Sequence, residues 1–299
     1  MAPSATETTP TSTAKTVTLQ NGKVFSFNSN QSTELDIIPV IDASRIWSNK
    51  LEDRQAVADE IRTASREIGF FYLINHGVDE KYAEGALEQA KRFFALPEDK
   101  KMEVFTGLVP NEYAGYHPMK CYNRNGWKHQ DLSEAFNWAY DPKEDPEAVA
   151  GCEPSASIWP SDIPGFREGL YAYRTELFRL ARQLTRIFAL ALHLPESSFD
   201  EYIRKPEAGM RILHYPEQSH SADGQNGIGA HTDVECFTMV TQDSAGGLEV
   251  LSKSGTWVKA KPIPGSLMVN IADCFMRQTN PMKYPIMTRG EYYAWRTNK

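Results

Sequence analysis

The chain has 299 residues, 41% of them hydrophobic, which is enough for the core of one large domain or two small ones. Its 32 basic and 39 acidic side chains give a formal net charge of −7, and no basic run exceeds two residues. This composition argues against nucleic acid and against anionic membrane as partners. The longest apolar stretch, near residues 187–192, is too short to span a bilayer.

The N-terminus and the cysteines bear on the cellular compartment. Residues 1–10 contain neither a basic nor an apolar leader segment. The four cysteines are scattered and form no CxxC pair, a pattern typical of reduced thiols. These features predict a soluble cytoplasmic protein and leave its oligomeric state open.

Three regions differ in composition and periodicity. Residues 1–34 are rich in Ser, Thr and Asn and are expected to form a disordered tail, with a short strand in residues 15–27 as an alternative. Residues 35–150 combine helical and strand patterns and form the predicted N-terminal region. Residues 151–299 contain a long helical pattern, then short strands and a short C-terminal tail.

The N-terminal region begins with a strand and a helix. Residues 37–42 form an apolar strand, and Pro39 restricts it to a sheet edge because proline has no N–H to donate. Apolar side chains then recur at helical spacing from residue 57 to residue 68. Gly69 is predicted to end this helix.

A second strand and helix follow. Residues 70–74 are all apolar and predict a buried strand. Asp79 is the predicted N-cap of a helix that stops before Pro97. His76 lies in the turn between the two elements, so a turn or capping role is favoured over metal binding.

The segment from residue 113 to residue 138 mixes aromatic residues with Gly, Pro and Asn and predicts a loop with short strands. Tyr113, Tyr116 and Phe136 are candidates for the wall of a pocket that takes an apolar or aromatic molecule. An ordinary aromatic surface layer is the alternative interpretation.

The second half of the chain predicts a long helix and then strands. Apolar residues at helical spacing run from residue 166 to residue 193 and favour a helix that backs a sheet over a coiled coil. A short helix is expected after Pro195. Strands are predicted at residues 210–216, 237–242, 248–251, 256–261 and 266–271. The Gly and Pro turns between them are typical of an antiparallel barrel or sandwich.

The tripeptide His231-Thr232-Asp233 carries the main chemical signal. In an extended strand, residues i and i+2 share one face and lie about 6–7 Å apart, so an imidazole and a carboxylate can converge on one ion. One histidine with one carboxylate is two thirds of the facial triad of non-haem Fe(II) oxygenases. The tripeptide alone is weak evidence, because most such pairs are polar surface residues.

Several spaced motifs, taken in chain order, resemble one family. They are residues 38–42, 69–78, 211–216, 229–233, 246–250 and 264–273. Together they resemble the isopenicillin N synthase-like Fe(II)/2-oxoglutarate-dependent dioxygenases from about residue 37 to residue 280. The resemblance implies an α+β fold with a double-stranded β-helix (jelly-roll) core and N-terminal helices packed outside it.

The same resemblance assigns site residues and cosubstrates. His231 and Asp233 match two iron ligands, and Tyr215 matches the tyrosine that binds the 2-oxoglutarate carboxylate next to the keto group. Where the family often has Asn, this chain has Leu213. The implied cofactor is Fe(II), with 2-oxoglutarate and O2 as cosubstrates. Decarboxylation to succinate and CO2 would accompany hydroxylation, desaturation or ring closure of a small organic molecule.

The sequence departs from the family pattern after residue 280. His231 is the last of the seven histidines, so the family's second iron-binding histidine has no counterpart. The Arg-x-Ser pair that holds the far carboxylate of 2-oxoglutarate is also missing. The residues on the two sides of the junction between Asn280 and Pro281 resemble separate family segments. We therefore expect an internal deletion there, with an incomplete barrel as its possible result.

Four residues are weighed as replacements for the missing groups. His214 is expected to point away from Tyr215, because neighbours in a strand face opposite sides. Asp273 fits a turn, and Arg277 and Arg289 lack the family's serine partner. The leading hypothesis is an Fe(II)/2-oxoglutarate dioxygenase. The alternatives are a catalytically inactive truncated or spliced relative and a non-enzymatic interaction module.

Overall fold

The computed structural model describes residues 15–18, 24–27, 38–108, 113–121, 130–204, 206, 208–218 and 225–279. Most of the predicted tail, residues 1–34, lies outside these ranges, as does the junction between Asn280 and Pro281. Within the tail, strand β1 (Lys15–Thr18) pairs in antiparallel fashion with strand β2 (Val24–Phe27). The predicted division of the rest of the chain at residue 150 stays a prediction.

Five α-helices lie within the described ranges. They are α1 (Leu51–Glu67), α2 (Glu80–Phe94), α3 (Glu98–Met102), α4 (Phe166–Ala191) and α5 (Asp273–Thr279). The apolar faces of α1 and α2 pack against α4. Asp79 caps α2 as predicted, since its carboxylate accepts a hydrogen bond from the backbone N–H of Lys81 at 3.1 Å.

The remaining strands occupy three small sheets. They are β3 (Val40–Asp42), β4 (Phe70–Ile74), β5 (Gly115–His117), β6 (Glu134–Trp138), β7 (Met210–His214), β8 (Phe237–Val240), β9 (Glu249–Leu251), β10 (Trp257–Lys259) and β11 (Leu267–Ile271). The five strands predicted after residue 210 are all present, each shorter than expected. The α+β fold class is confirmed, and the sheets do not close into a barrel within the described ranges.

The four-stranded sheet has the order β3-β4-β11-β8. β3 pairs in parallel with β4 at the sheet edge, the position that Pro39 predicts, and the other pairs are antiparallel. All five residues of β11 are buried, because its two faces contact different apolar clusters. Val269 faces the helices, whereas Met268 packs with Val250 of β9.

The three-stranded sheet, β5-β6-β7, also has two distinct faces. On one face, Phe136 of β6 contacts Phe93 of α2 and Phe166 of α4, with ring centroids 5.1 and 5.3 Å apart. The far end of α4 contacts β8, where the centroids of Phe188 and Phe237 lie 4.9 Å apart. Helix α4 therefore backs both larger sheets, in agreement with the predicted backing role.

Two expectations for the region around α4 are corrected. The helix ends at Ala191 and not at residue 193. The short helix expected after Pro195 is wrong: the chain forms turns there, in which the backbone N–H and the hydroxyl of Ser198 both donate to the carbonyl of Pro195. These local bonds compete with a continuous helical ladder.

Two further findings concern the compartment arguments. The four cysteines all lie within the described residues and form no disulfide bond with one another. Within the described ranges, every helix is too short or too polar to span a bilayer.

Candidate metal centre

His231 and Asp233 lie in a loop that leads into β8. Residues 231–233 belong to no strand, and the hydrogen bonds beside them show how the pairing of β8 with β11 ends. β8 and β11 pair in register up to Phe237 and Ile271. Continued register would place Asp273 opposite Glu235, but the backbone N–H of Asp273 donates to the carbonyl of Asp233 at 2.9 Å. This shift takes the chain out of the ladder and ties the loop to the end of β11.

The imidazole of His231 is oriented by the backbone of its own loop. Its Nδ1 atom lies 2.8 Å from the carbonyl oxygen of Gly229. A carbonyl only accepts hydrogen bonds, so this contact assigns the ring hydrogen to Nδ1 and leaves a lone pair on Nε2. Nε2 faces Oδ1 of Asp233 at 3.4 Å. The nitrogen that can bind a metal therefore points at the neighbouring carboxylate.

The carboxylate of Asp233 is fixed through its other oxygen. Oδ2 accepts hydrogen bonds from the hydroxyl of Thr238 at 2.6 Å and from the side-chain amide of Asn270 at 2.9 Å. Burial raises the pKa of Asp233, but the adjacent imidazole of His231 and the hydrogen bonds from Thr238 and Asn270 outweigh it and hold the pKa well below its usual range. The side chain is therefore ionised, which is the form that binds metals.

This arrangement fits a divalent metal ion at two of the three positions of a facial triad. Imidazole and carboxylate are the ligand types that non-haem Fe(II) sites use. Hydrogen bonds on the far side of each ligand orient it, as is typical of metal sites. Within the described part of the chain, no three His, Cys, Asp or Glu side chains group into a complete metal site.

The residues weighed as replacements for the missing histidine and Arg-x-Ser pair are engaged elsewhere or lie outside the described side chains. Nδ1 of His214 donates to Glu134 at 2.7 Å, and its ring stacks on Phe94 of α2. Asp273 begins α5, so the expected turn is the first turn of a helix. The side chains of Arg277 and Arg289 lie outside the described residues.

Tyr215 lies against the start of the loop that carries the two ligands. A Cβ atom placed on Gly227 would come within 2.6 Å of Cδ1 of Tyr215, so the ring rests directly on that glycine. Strand alternation puts Leu213 on the same side as Tyr215 and His214 on the opposite side. The contact of His214 with α2 agrees with this prediction.

Two of the three candidate pocket residues belong to the core instead. Tyr116 and Phe136 are fully buried, because strand alternation places both on the sheet face that α2 and α4 cover. Tyr113 is half exposed, and its ring contacts His117 on the opposite face at 4.6 Å between centroids. Tyr113 alone of the three therefore remains a candidate for a pocket wall.

His76 has the structural role that its position predicted. Its Nδ1 accepts a hydrogen bond from the backbone N–H of Val78 at 3.2 Å, and its Nε2 lies 3.1 Å from the carbonyl of Gly265. Burial lowers the pKa of His76, more than the bond to Gly265 raises it. The neutral ring thus joins the turn before α2 to the turn before β11.

Comparison with known proteins identifies the family. Residues 38–162 match the model of the N-terminal domain of non-haem dioxygenases in morphine synthesis, and residues 206–292 match the model of the 2OG-Fe(II) oxygenase superfamily. The chain belongs to this superfamily. Its cofactor is Fe(II), with 2-oxoglutarate and O2 as cosubstrates. The jelly-roll class is confirmed, and the inactive alternative is not favoured.

Individual proteins support the same assignment. The 2-oxoglutarate-Fe(II) type oxidoreductase ppzC of Metarhizium majus is 34% identical over 279 residues, which cover 87% of this chain and 74% of that protein. A Neurospora crassa protein crystallised with alpha-KG and 5-formyluracil matches at 26% identity and a TM-score of 0.68, covering 83% of this chain and 76% of the other. JOX2 crystallised with 2OG, Fe and JA matches at 26% identity and a TM-score of 0.63, covering 80% and 65%.

Several residues around the site were not anticipated from the sequence. Thr238 and Asn270 hold the Asp233 carboxylate, and Asp131 contacts Gly229. Thr238 lies five residues from Asp233 and is the polar residue of the otherwise apolar strand β8, a signal that could have marked it. Asp131 is 98 residues away from Gly229 in sequence, and no local pattern marks that contact.

Proposed function

We propose that this oxygenase binds Fe(II) through Nε2 of His231 and Oδ1 of Asp233. The observation that carries the proposal is the orientation of these two atoms toward each other at 3.4 Å. Each side chain is held by its other polar atom, to Gly229 for the histidine and to Thr238 and Asn270 for the aspartate. Ligands held in place lose little freedom when the metal binds, which favours binding.

We assign Tyr215 to 2-oxoglutarate. Its ring lies on Gly227, four residues before His231, so it borders the loop that carries both ligands. The hydroxyl of a half-exposed tyrosine at this place can donate to a carboxylate oxygen of the cosubstrate. Leu213, on the same side of the strand, contributes apolar surface where the family often has an amide.

The substrate is proposed to be a small organic molecule, as for the related proteins crystallised with 5-formyluracil and with JA. Fe(II) together with 2-oxoglutarate supplies the oxidising chemistry when bound. The residues of the chain orient the metal and the cosubstrate and exclude water around them. Cytoplasmic localisation remains a prediction.

The decisive experiment is Fe(II)-dependent conversion of 2-oxoglutarate to succinate. Metal-free protein is reconstituted with Fe(II) under anaerobic conditions, and succinate is measured after O2 is admitted, with and without a panel of small molecules. We expect His231→Ala to lose both Fe(II) binding and succinate formation. Tyr215→Phe should keep Fe(II) but bind 2-oxoglutarate more weakly.

A matched control is provided by His193, which follows α4 and has a positive φ of 59°. His193→Asn removes an imidazole but keeps a residue that tolerates this backbone conformation. It should bind Fe(II) and form succinate like the unaltered chain. Absence of Fe(II) binding and of turnover in the unaltered chain, across the whole panel, would count against the proposed function.

A second proposal concerns the third ligand. We propose that an internal segment with the second iron-binding histidine and the Arg-x-Ser pair is absent between Asn280 and Pro281. The supporting observation is that no histidine follows His231 in the sequence. The alignment with the Metarhizium majus relative runs over 279 positions, whereas 87% of this 299-residue chain is only about 260 residues. The alignment therefore contains gaps in this chain.

The transcript across the codons for Asn280 and Pro281 tests this proposal directly. A longer message that encodes a histidine and an Arg-x-Ser pair at this junction would support it. Fe(II) affinity and succinate formation are then compared between the 299-residue chain and the restored chain. Loss of one of the three iron ligands should weaken Fe(II) binding by more than the roughly 10- to 100-fold typical of a lost supporting hydrogen bond. Equal affinity in both chains would contradict the proposal.

A further inference from the structure

A buried acidic side chain contacts the loop of the candidate iron site. Asp131 lies three residues before β6 and is 5% exposed. Its Oδ1 atom accepts a hydrogen bond from the backbone N–H of Gly229 at 2.9 Å. Gly229 is itself buried and stands two residues before His231. The contact joins two parts of the chain that are 98 residues apart.

The other polar group of Gly229 contacts the ligand. Its carbonyl oxygen accepts from Nδ1 of His231 at 2.8 Å. Asp131 and His231 are therefore connected through a single residue, one at its N–H and one at its carbonyl. Because the carbonyl can only accept, its position determines which nitrogen of His231 carries the hydrogen.

Two more hydrogen bonds join the same segments at a greater distance from His231. The backbone N–H of Leu132 donates to the carbonyl of Asn226 at 3.0 Å, and the side chain of Gln225 donates to the carbonyl of Gln130 at 2.8 Å. These bonds bring the two segments together. The carboxylate of Asp131 extends the contact to the residue that orients the imidazole.

We propose that Asp131 is a positioning residue for the iron site. By holding the backbone of Gly229, it keeps His231 as the Nδ1–H tautomer with Nε2 directed at the metal. A carboxylate is a strong acceptor for a backbone N–H, and a hydrogen-bonded partner behind a metal-binding histidine fixes both tautomer and ring orientation. The inference rests on the proposed assignment of His231 as an iron ligand.

The first test uses the metal-free chain. Nitrogen NMR of 15N-histidine-labelled protein reports the tautomer of His231. Its signals are assigned by their loss in His231→Gln. We expect a single Nδ1–H tautomer in the unaltered chain and a mixture of tautomers in Asp131→Ala. The amide hydrogen of Gly229 should also exchange faster in that variant.

Two variants separate positioning from a general structural role. Asp131→Asn keeps an oxygen that can accept from Gly229, so it should retain the Nδ1–H tautomer. Gln225→Ala removes a hydrogen bond between the same two segments but leaves Asp131 in place, and it should also leave the tautomer unchanged. Where Asp131→Ala fails to fold, Asp131→Leu provides a side chain of similar size without an acceptor.

The second test is anaerobic titration with Fe(II), and with Co(II) as a redox-stable probe. Asp131→Ala should bind both metals roughly 10- to 100-fold more weakly than the unaltered chain, the range typical of a lost supporting hydrogen bond. Gln225→Ala should bind them equally well. An unchanged tautomer or an unchanged metal affinity in Asp131→Ala overturns the proposal. Failure of the unaltered chain to bind Fe(II) counts against the proposed function, and the tautomer measurement is independent of that outcome.

Discussion

Thr238 donates its hydroxyl group to Oδ2 of Asp233 over 2.6 Å, and this bond determines which carboxylate oxygen is directed at His231. Asn270 donates to the same oxygen from the neighbouring strand β11. With Oδ2 engaged twice, Oδ1 is the oxygen that faces Nε2 of His231. The aspartate is therefore prepared to bind a metal through one oxygen.

Replacing Thr238 by valine is expected to weaken Fe(II) binding roughly 10- to 100-fold. Valine has nearly the same shape but no hydroxyl, so Asp233 loses one of the two donors that orient it. Anaerobic titration with Fe(II) measures the effect. Thr238→Ser keeps the hydroxyl and should restore affinity. Equal affinity in Thr238→Val and the unaltered chain would contradict the proposed role of this bond.

Adding a methyl group at Gly227 is expected to displace Tyr215 and to weaken 2-oxoglutarate binding. The new Cβ would lie 2.6 Å from Cδ1 of Tyr215, closer than real Cβ contacts allow, so the half-exposed ring must move. A misplacement of about 1 Å can cost up to roughly 100-fold in rate. The KM for 2-oxoglutarate in the succinate assay measures the change.

Gly209→Ala serves as the control for this variant. Its Cβ would meet the carbonyl oxygen of Trp138 at 3.8 Å, an ordinary van der Waals distance. The KM for 2-oxoglutarate should therefore stay unchanged. If Gly227→Ala behaves like Gly209→Ala, Tyr215 does not contact the cosubstrate from its observed position.

Much of the fold could be predicted from the sequence, because hydrophobic periodicity reports which side of an element is buried. The apolar repeat from residue 57 to residue 68 predicted α1, and Pro39 predicted the edge position of β3. The same reasoning failed for Tyr116 and Phe136. Their aromatic character is compatible with a pocket or a core, and only the helices packed on their sheet face decide between the two.

The site was predictable only where motifs mark it. His231, Asp233 and Tyr215 were found by resemblance to family motifs, whereas Asp131 and Asn270 contact the site from positions far away in sequence. The loop conformation of residues 231–233 is not encoded in the sequence pattern either. It depends on the shifted hydrogen bond to Asp273, which an alternating pattern does not encode.

At two glycines an added methyl group would contact nothing in the described part of the chain, so a substitution there tests the effect of backbone conformation by itself. Among the described residues, no heavy atom lies within 4 Å of a Cβ placed on Gly85 or on Gly69. Gly85 is inside α2, so Gly85→Ala should stabilise the fold by about 0.5–1 kcal/mol. Gly69 has a φ of 85°, so Gly69→Ala should destabilise it by about 1–2 kcal/mol. Urea denaturation measures both, and equal signs would contradict the expectation.

Glu134 of β6 and Lys101 of α3 form a buried ion pair. Glu134 is 4% exposed and accepts hydrogen bonds from Lys101 at 2.6 Å, from Tyr116 at 2.6 Å and from His214 at 2.7 Å. Burial raises the pKa of Glu134, but these three bonds outweigh it, so the net pKa is lower than the ordinary value of 4.5. Lys101, which is 6% exposed, also lies 3.3 Å from Glu98.

The pH dependence of the free energy of unfolding follows from the lowered pKa of Glu134. A carboxyl group with a lower pKa in the folded state stabilises the fold above its unfolded pKa, and the stabilisation is lost as the pH falls through the folded pKa. At neutral pH, Glu134→Gln should cost about 3–5 kcal/mol, because it removes the charge that compensates buried Lys101. In acid, where Glu134 is protonated in the unaltered chain, the difference between the two proteins should shrink.

Urea denaturation at neutral pH and at a pH below the lowered pKa of Glu134 in the folded protein measures this change. Glu103→Gln is the control, since Glu103 forms an exposed ion pair with Lys100 at 2.8 Å and should affect stability little under either condition. If Glu134→Gln destabilises the protein equally at both pH values, the cause is lost packing. If the loss is confined to neutral pH, the charge on Glu134 is what holds α3, β5 and β7 together.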